Sequence, residues 1–311
     1  MATFVRCAWL LAVVFFLTCV AVRADDPAPA PAPAADQTAF PANDVIPPSP
    51  TSLIKPGEKV AFLGDSITEA GWTNTSGYVR LVVTGLKTNG VNIVPQPAGV
   101  SGNTSAQMLA RLKEVVDKKP DWLLVMAGVD EIAHANSTVT LDKYKENMTA
   151  IVTQAQAANI KVMIVTTTVI TEDLTNASNK KLADYNTALR TLATDTKALV
   201  SDVNGAMQTA LQAAQQAPAG PRKTAKTPGM VLTKYDGIHM NSKGDFLIAK
   251  TILMTVGLSE EELAKAVGLW QKLDPSTITK TTSTVTDTTN TTTTTQPAPT
   301  PTRARRTRRG G

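Results

Sequence analysis

Between Ser52 and Val256, short apolar runs alternate with stretches whose apolar residues recur at helical spacing. The runs Val60–Leu63, Val91–Pro95, Trp122–Ala127, Lys161–Thr168 and Ala198–Val203 predict five strands. Helices are predicted over Tyr78–Asn89, Ala106–Lys118, Leu141–Ala158, Ala177–Thr196, Ala206–Gln216 and Lys243–Val256. In the first, Val79, Leu81, Val82, Val83 and Leu86 form the apolar face; the second ends before Pro120. Ser259 and Glu262 have capping-box spacing and start a last helix over Glu260–Leu273. Strands that are apolar on both faces and separated by helices predict a parallel sheet covered on both sides. Its crossovers should be right-handed. One α/β domain over residues 52–273 accounts for the pattern.

The flanks read differently. Residues 1–24 carry Arg6, an apolar stretch from Ala8 to Val22, and a small-residue site at Val22-Arg23-Ala24. That is the pattern of a cleaved secretory signal peptide. Residues 25–51 form a Pro/Ala-rich linker without a core of its own. Residues 217–234, rich in Pro, Gly and Lys, predict an irregular loop beside the site. Residues 274–311 are mostly Thr, with Pro and Gln, and end in a cluster of Arg303, Arg305, Arg306, Arg308 and Arg309. This composition buries no core and predicts a disordered stalk with a basic tip.

These boundaries change the meaning of the charge and the cysteines. The formal charge is +5 over 311 residues. Setting aside Arg6, Arg23 and the terminal cluster leaves a slightly acidic body. The basic pI therefore belongs to the tail, and no nucleic-acid partner is expected. The tip is either simply solvated or makes weak electrostatic contact with an anionic envelope surface. Cys7 and Cys19 both lie in the leader, so the mature body has no disulfide, catalytic thiol or Cys-ligated metal. No cofactor or metal is expected. Asn-x-Ser/Thr triplets at Asn74, Asn103, Asn136, Asn147 and Asn290 matter only in a host that glycosylates them.

The first strand ends abruptly at Gly64-Asp65-Ser66. Open α/β sheets bind ligands beyond the carboxyl ends of their strands, so Ser66 is a candidate nucleophile. The same tripeptide also serves ordinary turns. A serine nucleophile needs a base, and the chain has two histidines, His134 and His239. His239 follows Asp236 closely enough for one short turn to present both side chains. The carboxylate could then hold one ring nitrogen while the other takes the serine proton. Trp72 and Tyr78 flank the first block, as walls of a pocket or as core packing.

At these blocks the chain resembles the SGNH (GDSL) hydrolases. The first block is Gly64-Asp65-Ser66-Ile67-Thr68, and the second supplies Gly102 within Gly99–Thr104. The last runs from Asp236 to His239 and on through Met240-Asn241-Ser242-Lys243-Gly244. The resemblance implies a flavodoxin-like three-layer α/β/α fold with a five-stranded parallel sheet. It makes Ser66 the nucleophile, His239 the base and Asp236 its orienter. It makes the backbone N–H groups of Ser66 and Gly102 oxyanion donors. Asp65, Asn103 and His134 are candidate pocket residues; His134, on the loop after the third strand, equally suits capping a helix or facing water. The resemblance implies a serine esterase without cofactor; together with the leader it points to a secreted or periplasmic enzyme acting on small esters, acylated carbohydrate among them.

One block departs. The family has Gly-x-Asn-Asp after the third strand; here the residues are Gly128-Val129-Asp130-Glu131. An ionised Asp130 has no donor to offer an oxyanion, and one lost donor costs about 10²–10³ in rate. Three outcomes follow: a protonated Asp130 that donates, an Asp130 that turns away, or an inactive protein that keeps the cleft to bind glycan or envelope polymer.

Overall fold

The computed structural model describes residues 46–134, 137–216 and 230–273. The leader, almost all of the linker, most of the 217–234 loop, the Thr-rich tail and its arginines lie outside the described residues. The elements are β1 (Lys59–Gly64), α1 (Ser66–Thr73), α2 (Tyr78–Thr88), β2 (Val94–Gly99) and α3 (Ser105–Ala110). Next come α4 (Leu112–Val116), β3 (Trp122–Met126), α5 (Val129–Ala133), α6 (Leu141–Ala157) and β4 (Lys161–Val165). The rest are α7 (Ala177–Thr196), β5 (Leu199–Ser201), α8 (Val203–Gln216), α9 (Ser242–Thr255) and α10 (Glu260–Leu273).

The five strands are parallel in the order β2-β1-β3-β4-β5. Alternate residues of each central strand enter opposite cores. Phe62, Leu124 and Met163 pack with residues of α2, α8, α9 and α10, while Leu63, Val125 and Ile164 pack with α3, α6 and α7. The result is the three-layer α/β/α arrangement expected from the alternation. The chain turns one way from β1 to β2 and the other way from β1 to β3, so the switch point lies at their carboxyl ends. There Gly64 is level with both Gly99 and Met126.

Several boundaries differ from the sequence expectation. The second strand is Val94–Gly99, not Val91–Pro95. Val91 and Ile93 are buried plugs ahead of it, and pairing starts at Lys59 with Val94. As an edge strand, β2 tolerates Pro95 and Pro97. The helix expected over 106–118 breaks at Arg111 into α3 and α4. β4 stops at Val165, because Thr167 leaves the ladder and pairs its N–H with the Asn186 side chain at 2.8 Å. The linker boundary at residue 51 is late: Ser49 is already buried and its N–H donates to the Asn89 carbonyl. The helices α1 and α5 were not expected at all; α1 begins on Ser66 and α5 carries Asp130 in its first turn. Among the described residues, no helix is long and apolar enough to cross a membrane.

Candidate active site

The site starts where β1 must turn sharply into α1. A Cβ at Gly64 would lie 2.0 Å from Thr68 Oγ1 and 3.1 Å from the Met126 carbonyl oxygen, so only glycine lets α1 fold back so closely. Asp65 caps α1 by accepting the Ile67 N–H at 2.9 Å. Ser66 is thereby the first helical residue. Its N–H belongs to the first turn, where no intrahelical acceptor exists. Asp65 is 1 % exposed, so it builds this corner and does not line an open pocket. Burial first, and the charge of Asp130 second, push its carboxyl up to about 7.

The second half arrives on the segment before α9. Asp236 Oδ1 accepts the N–H groups of Ile238 and His239, both at 2.9 Å. That turn leaves Oδ2 for His239 Nδ1, at 2.8 Å. On the other side of the ring, Nε2 is 2.9 Å from Ser66 Oγ. Partial burial pulls the Asp236 carboxyl upward, but its backbone donors and the imidazole outweigh this and hold it below the usual range. Ionised, it requires Nδ1 to donate, which leaves Nε2 free to accept the serine proton. The arrangement can activate a hydroxyl for acyl transfer.

A tight hairpin carries this turn. Thr233 pairs antiparallel with Met240, and the Lys234 N–H donates to the His239 carbonyl at 2.7 Å. The hairpin is fastened from the far end of β4. Glu172 accepts the N–H groups of Val231, Leu232 and Thr233 at 2.8, 2.6 and 2.8 Å. The Thr171 N–H donates to the Gly237 carbonyl at 2.6 Å. Sequence reasoning missed Glu172, because a lone acidic residue in a distant loop carries no signal. Burial works against its charge, but these backbone donors and the Thr233 hydroxyl hold its carboxyl low.

Glu172→Gln puts an N–H₂ where an acceptor is needed. We expect a loss on the order of 2 kcal/mol and a fall in kcat larger than any change in KM, since His239 loses its seat. The lowered folded value means the anchor is complete above the unfolded carboxylate range, near pH ~4.3, and is lost as pH falls through the folded value. Denaturant titrations at neutral and at strongly acidic pH should therefore show the gap between the two proteins closing on the acid side. An equal gap at both would refute this role.

The other oxyanion candidates follow the ends of β2 and β3, the two strands that flank β1. Gly102 has φ +75° in an exposed turn, and an added Cβ would meet nothing, so backbone conformation and not space requires glycine there. Asn103 is buried, with Oδ1 accepting Arg111 Nε at 2.7 Å, while Arg111 Nη2 donates to the Gly64 carbonyl at 2.9 Å. Asn103 thus braces the second block against β1 and is not a pocket wall. Burial also excludes a glycan on Asn103 or Asn147 in the folded protein.

Asp130 does not turn out to solvent. It lies in the first turn of α5, 3 % exposed, with Oδ1 2.7 Å from His134 Nε2. Its Oδ2 is buried without a hydrogen-bond partner. Burial pushes this carboxyl up, while His134 and then His239 pull it down. His134 occupies the C-cap position of α5, and its ring, largely exposed, holds Asp130. Glu131 is structural: it accepts the Ser105 N–H and ties α3 to α5.

Trp72 and Tyr78 are packing residues. Trp72 lies against the core under the Arg80 guanidinium, and the buried Tyr78 hydroxyl pairs with Thr68 Oγ1 at 2.8 Å. Tyr235, which sequence reasoning passed over, is 86 % exposed immediately before Asp236. A polar hollow of about 520 Å³ runs beside this turn, lined by Asn74, Thr75, Ser76, Lys234 and Asn241 among others. Among the described residues, no group of three or more His, Cys, Asp or Glu could hold a metal.

A sequence model of the GDSL-like lipase/acylhydrolase family matches residues 62–245, which span every element of this site. The chain belongs to that family. It is a carboxylic ester hydrolase of the SGNH/GDSL type. An acetylxylan esterase of Geobacillus stearothermophilus is 25 % identical over 223 residues, 65 % of this chain and 94 % of that protein. The crystal structure of an acetylxylan esterase from that organism is 24 % identical with a TM-score of 0.56, covering 66 % of this chain and 97 % of its own. The structure of another acetyl xylan esterase, AlAXEase, is 28 % identical with a TM-score of 0.56 and covers 64 % and 99 %. The GDSL-like membership agrees with the fold expected from the alternating pattern.

Proposed function

We propose that this hydrolase removes small acyl groups, acetyl foremost, from carbohydrate through an acyl-enzyme on Ser66. The observation that carries this is the line from Asp236 through His239 to Ser66, with contacts of 2.8 and 2.9 Å. Ser66 Oγ attacks the ester carbonyl and passes its proton to His239 Nε2. The carbonyl electron pair moves onto oxygen, beside the Ser66 and Gly102 N–H groups. His239 returns the proton to the leaving sugar hydroxyl. It then deprotonates a water that releases the acid and restores Ser66. Acetylated carbohydrate is supported by the relatives named acetylxylan esterase. The polar hollow and the exposed Tyr235 ring beside the turn suit a hydroxylated substrate better than a long acyl chain. The leader-like residues 1–24 support action outside the cytoplasm, and the arginine tip supports retention at an anionic surface.

The deciding measurement is acetate release from acetylated xylo-oligosaccharides, alongside p-nitrophenyl acetate, butyrate and octanoate. We expect acetate to be released from the oligosaccharide and kcat/KM to fall at least tenfold from acetate to octanoate. A preference for octanoate would replace the carbohydrate reading with a lipid one. The second reading, a glycan-binding protein with little or no turnover, is favoured by Asp130 alone. Saturable binding of the acetylated oligosaccharide without acetate release would establish it.

A further inference from the structure

Asp130 and His134 form a pair that the reaction as described leaves unused. We propose that Asp130 acts as a neutral carboxyl whose Oδ2–H donates to the oxyanion, and that His134 is the positioning residue that keeps the proton on that oxygen. This rests on the reading of Ser66 as an esterase nucleophile.

Placement comes first. β1 and β3 are neighbours with Gly64 level with Met126, so the chain beyond each strand end reaches the same crevice. Ser66 lies just past one end and Asp130 just past the other. Asp130 is also near enough to His239 for their charges to interact, and His239 Nε2 touches the Ser66 hydroxyl.

The chemistry follows from the two oxygens. Oδ1 is engaged by His134 Nε2 at 2.7 Å, whereas Oδ2 is buried and unpartnered. An ionised group would leave negative charge on a buried oxygen with no donor, which is costly. Two more carboxyls crowd the same place. Asp65 on α1's N-terminus and Glu131 on Asp130's own helix are both buried, and each is raised in part by Asp130's charge. A neutral Asp130 relieves both. When His134 donates Nε2–H, Oδ1 must act as acceptor, and the proton stays on Oδ2. The carboxyl then presents one acceptor and one donor, the pattern of an amide. As Ser66 Oγ bonds to the carbonyl carbon and its proton goes to His239, the new oxyanion accepts from Ser66 N–H, Gly102 N–H and Asp130 O–H. The His134 ring is 60 % exposed.

The groups facing Asp130 are His134, Glu131, Asp65 and His239. An alkaline loss of activity therefore has three candidate owners, Asp130, Asp65 and Glu131. The test is kcat against pH with p-nitrophenyl acetate for the wild type, Ser66→Ala, Asp130→Asn, His134→Leu and His134→Gln. Because the chain has two histidines, ¹⁵N NMR reports each ring. We expect wild-type kcat to fall on the alkaline side and Asp130→Asn to lose that fall. The ratio of variant to wild type should then climb with pH by at least about tenfold. His134→Leu should lower kcat about tenfold with little change in KM, and His134→Gln, which still offers an N–H, should recover most of it. His134 should be the neutral Nε2–H tautomer at the pH of highest kcat. A ratio constant with pH, an alkaline fall that persists in Asp130→Asn, or a cationic His134 at that pH would each overturn the proposal. Absence of Ser66-dependent turnover in both the wild type and Asp130→Asn would instead overturn the esterase reading beneath it.

Discussion

Ser66→Ala should lower kcat/KM for an acetyl ester by about 10⁴-fold or more while leaving the fold intact. The hydroxyl is half-buried and meets His239 Nε2 at 2.9 Å. Removing it takes away the atom that bonds to the acyl carbon, so no covalent intermediate forms. What survives is catalysis by the oxyanion donors and by binding alone. The fold should not suffer, because Asp65 and not Ser66 caps α1, and alanine is a good helix former at its first position. Rapid mixing with p-nitrophenyl acetate should give a burst approaching one nitrophenolate per wild-type chain if deacylation is slow, and none in the variant. A variant that keeps more than about a hundredth of the wild-type rate would move the nucleophile elsewhere.

Trp270→Ala should destabilise the domain by about 3–5 kcal/mol, a large share of a typical domain's about 5–15. Trp270 is 0 % exposed and meets the Phe246 ring edge-on at a centroid distance of 5.4 Å. It lies on α10, which packs on α2 and α9 but falls beyond the family match ending at residue 245. If α10 belongs to the cooperative unit, its indole fills core that nothing else can fill. The thermal midpoint should drop by about 10 °C, and a chain ending after Leu258 should fare worse. Trp270→Phe provides the control. The indole Nε1 has no hydrogen-bond partner, so the loss there is of volume and not of a bond, and should be milder. A cost under about 1 kcal/mol for Trp270→Ala would make α10 an appendage.

The legible parts of this protein were those with a local period or a local cap. Apolar runs alternating with 3.6-residue periodicity announced the parallel sheet, because a strand buried on both faces has nowhere to place polar residues. The turn Asp236–His239 was legible for a similar reason: the three Asp236 hydrogen bonds that shape it lie within four residues. The helices α1 and α5 were not legible. Helices this short draw their stability from tertiary packing and not from propensity, so their sequences carry little helical signal. Missing α5 also hid the Asp130–His134 pair, which is an i,i+4 contact only once residues 129–133 are helical. Trp72 and Tyr78 show the same limit from the other side, since an aromatic near a site and an aromatic in the core look alike along the chain.

The sequence by itself determined the fold class, the strand-tip serine, the Asp–His turn and the odd residue at position 130. Only the tertiary structure decided that a ring 173 residues away stands 2.9 Å from that serine, and that Glu172 fastens its hairpin. It alone decided that Asp130 is buried against His134 and not turned outward. The division has one physical cause. Periodicity and capping are written over a few neighbouring residues, whereas burial and cross-chain contact exist only after the sheet has brought its strand ends together.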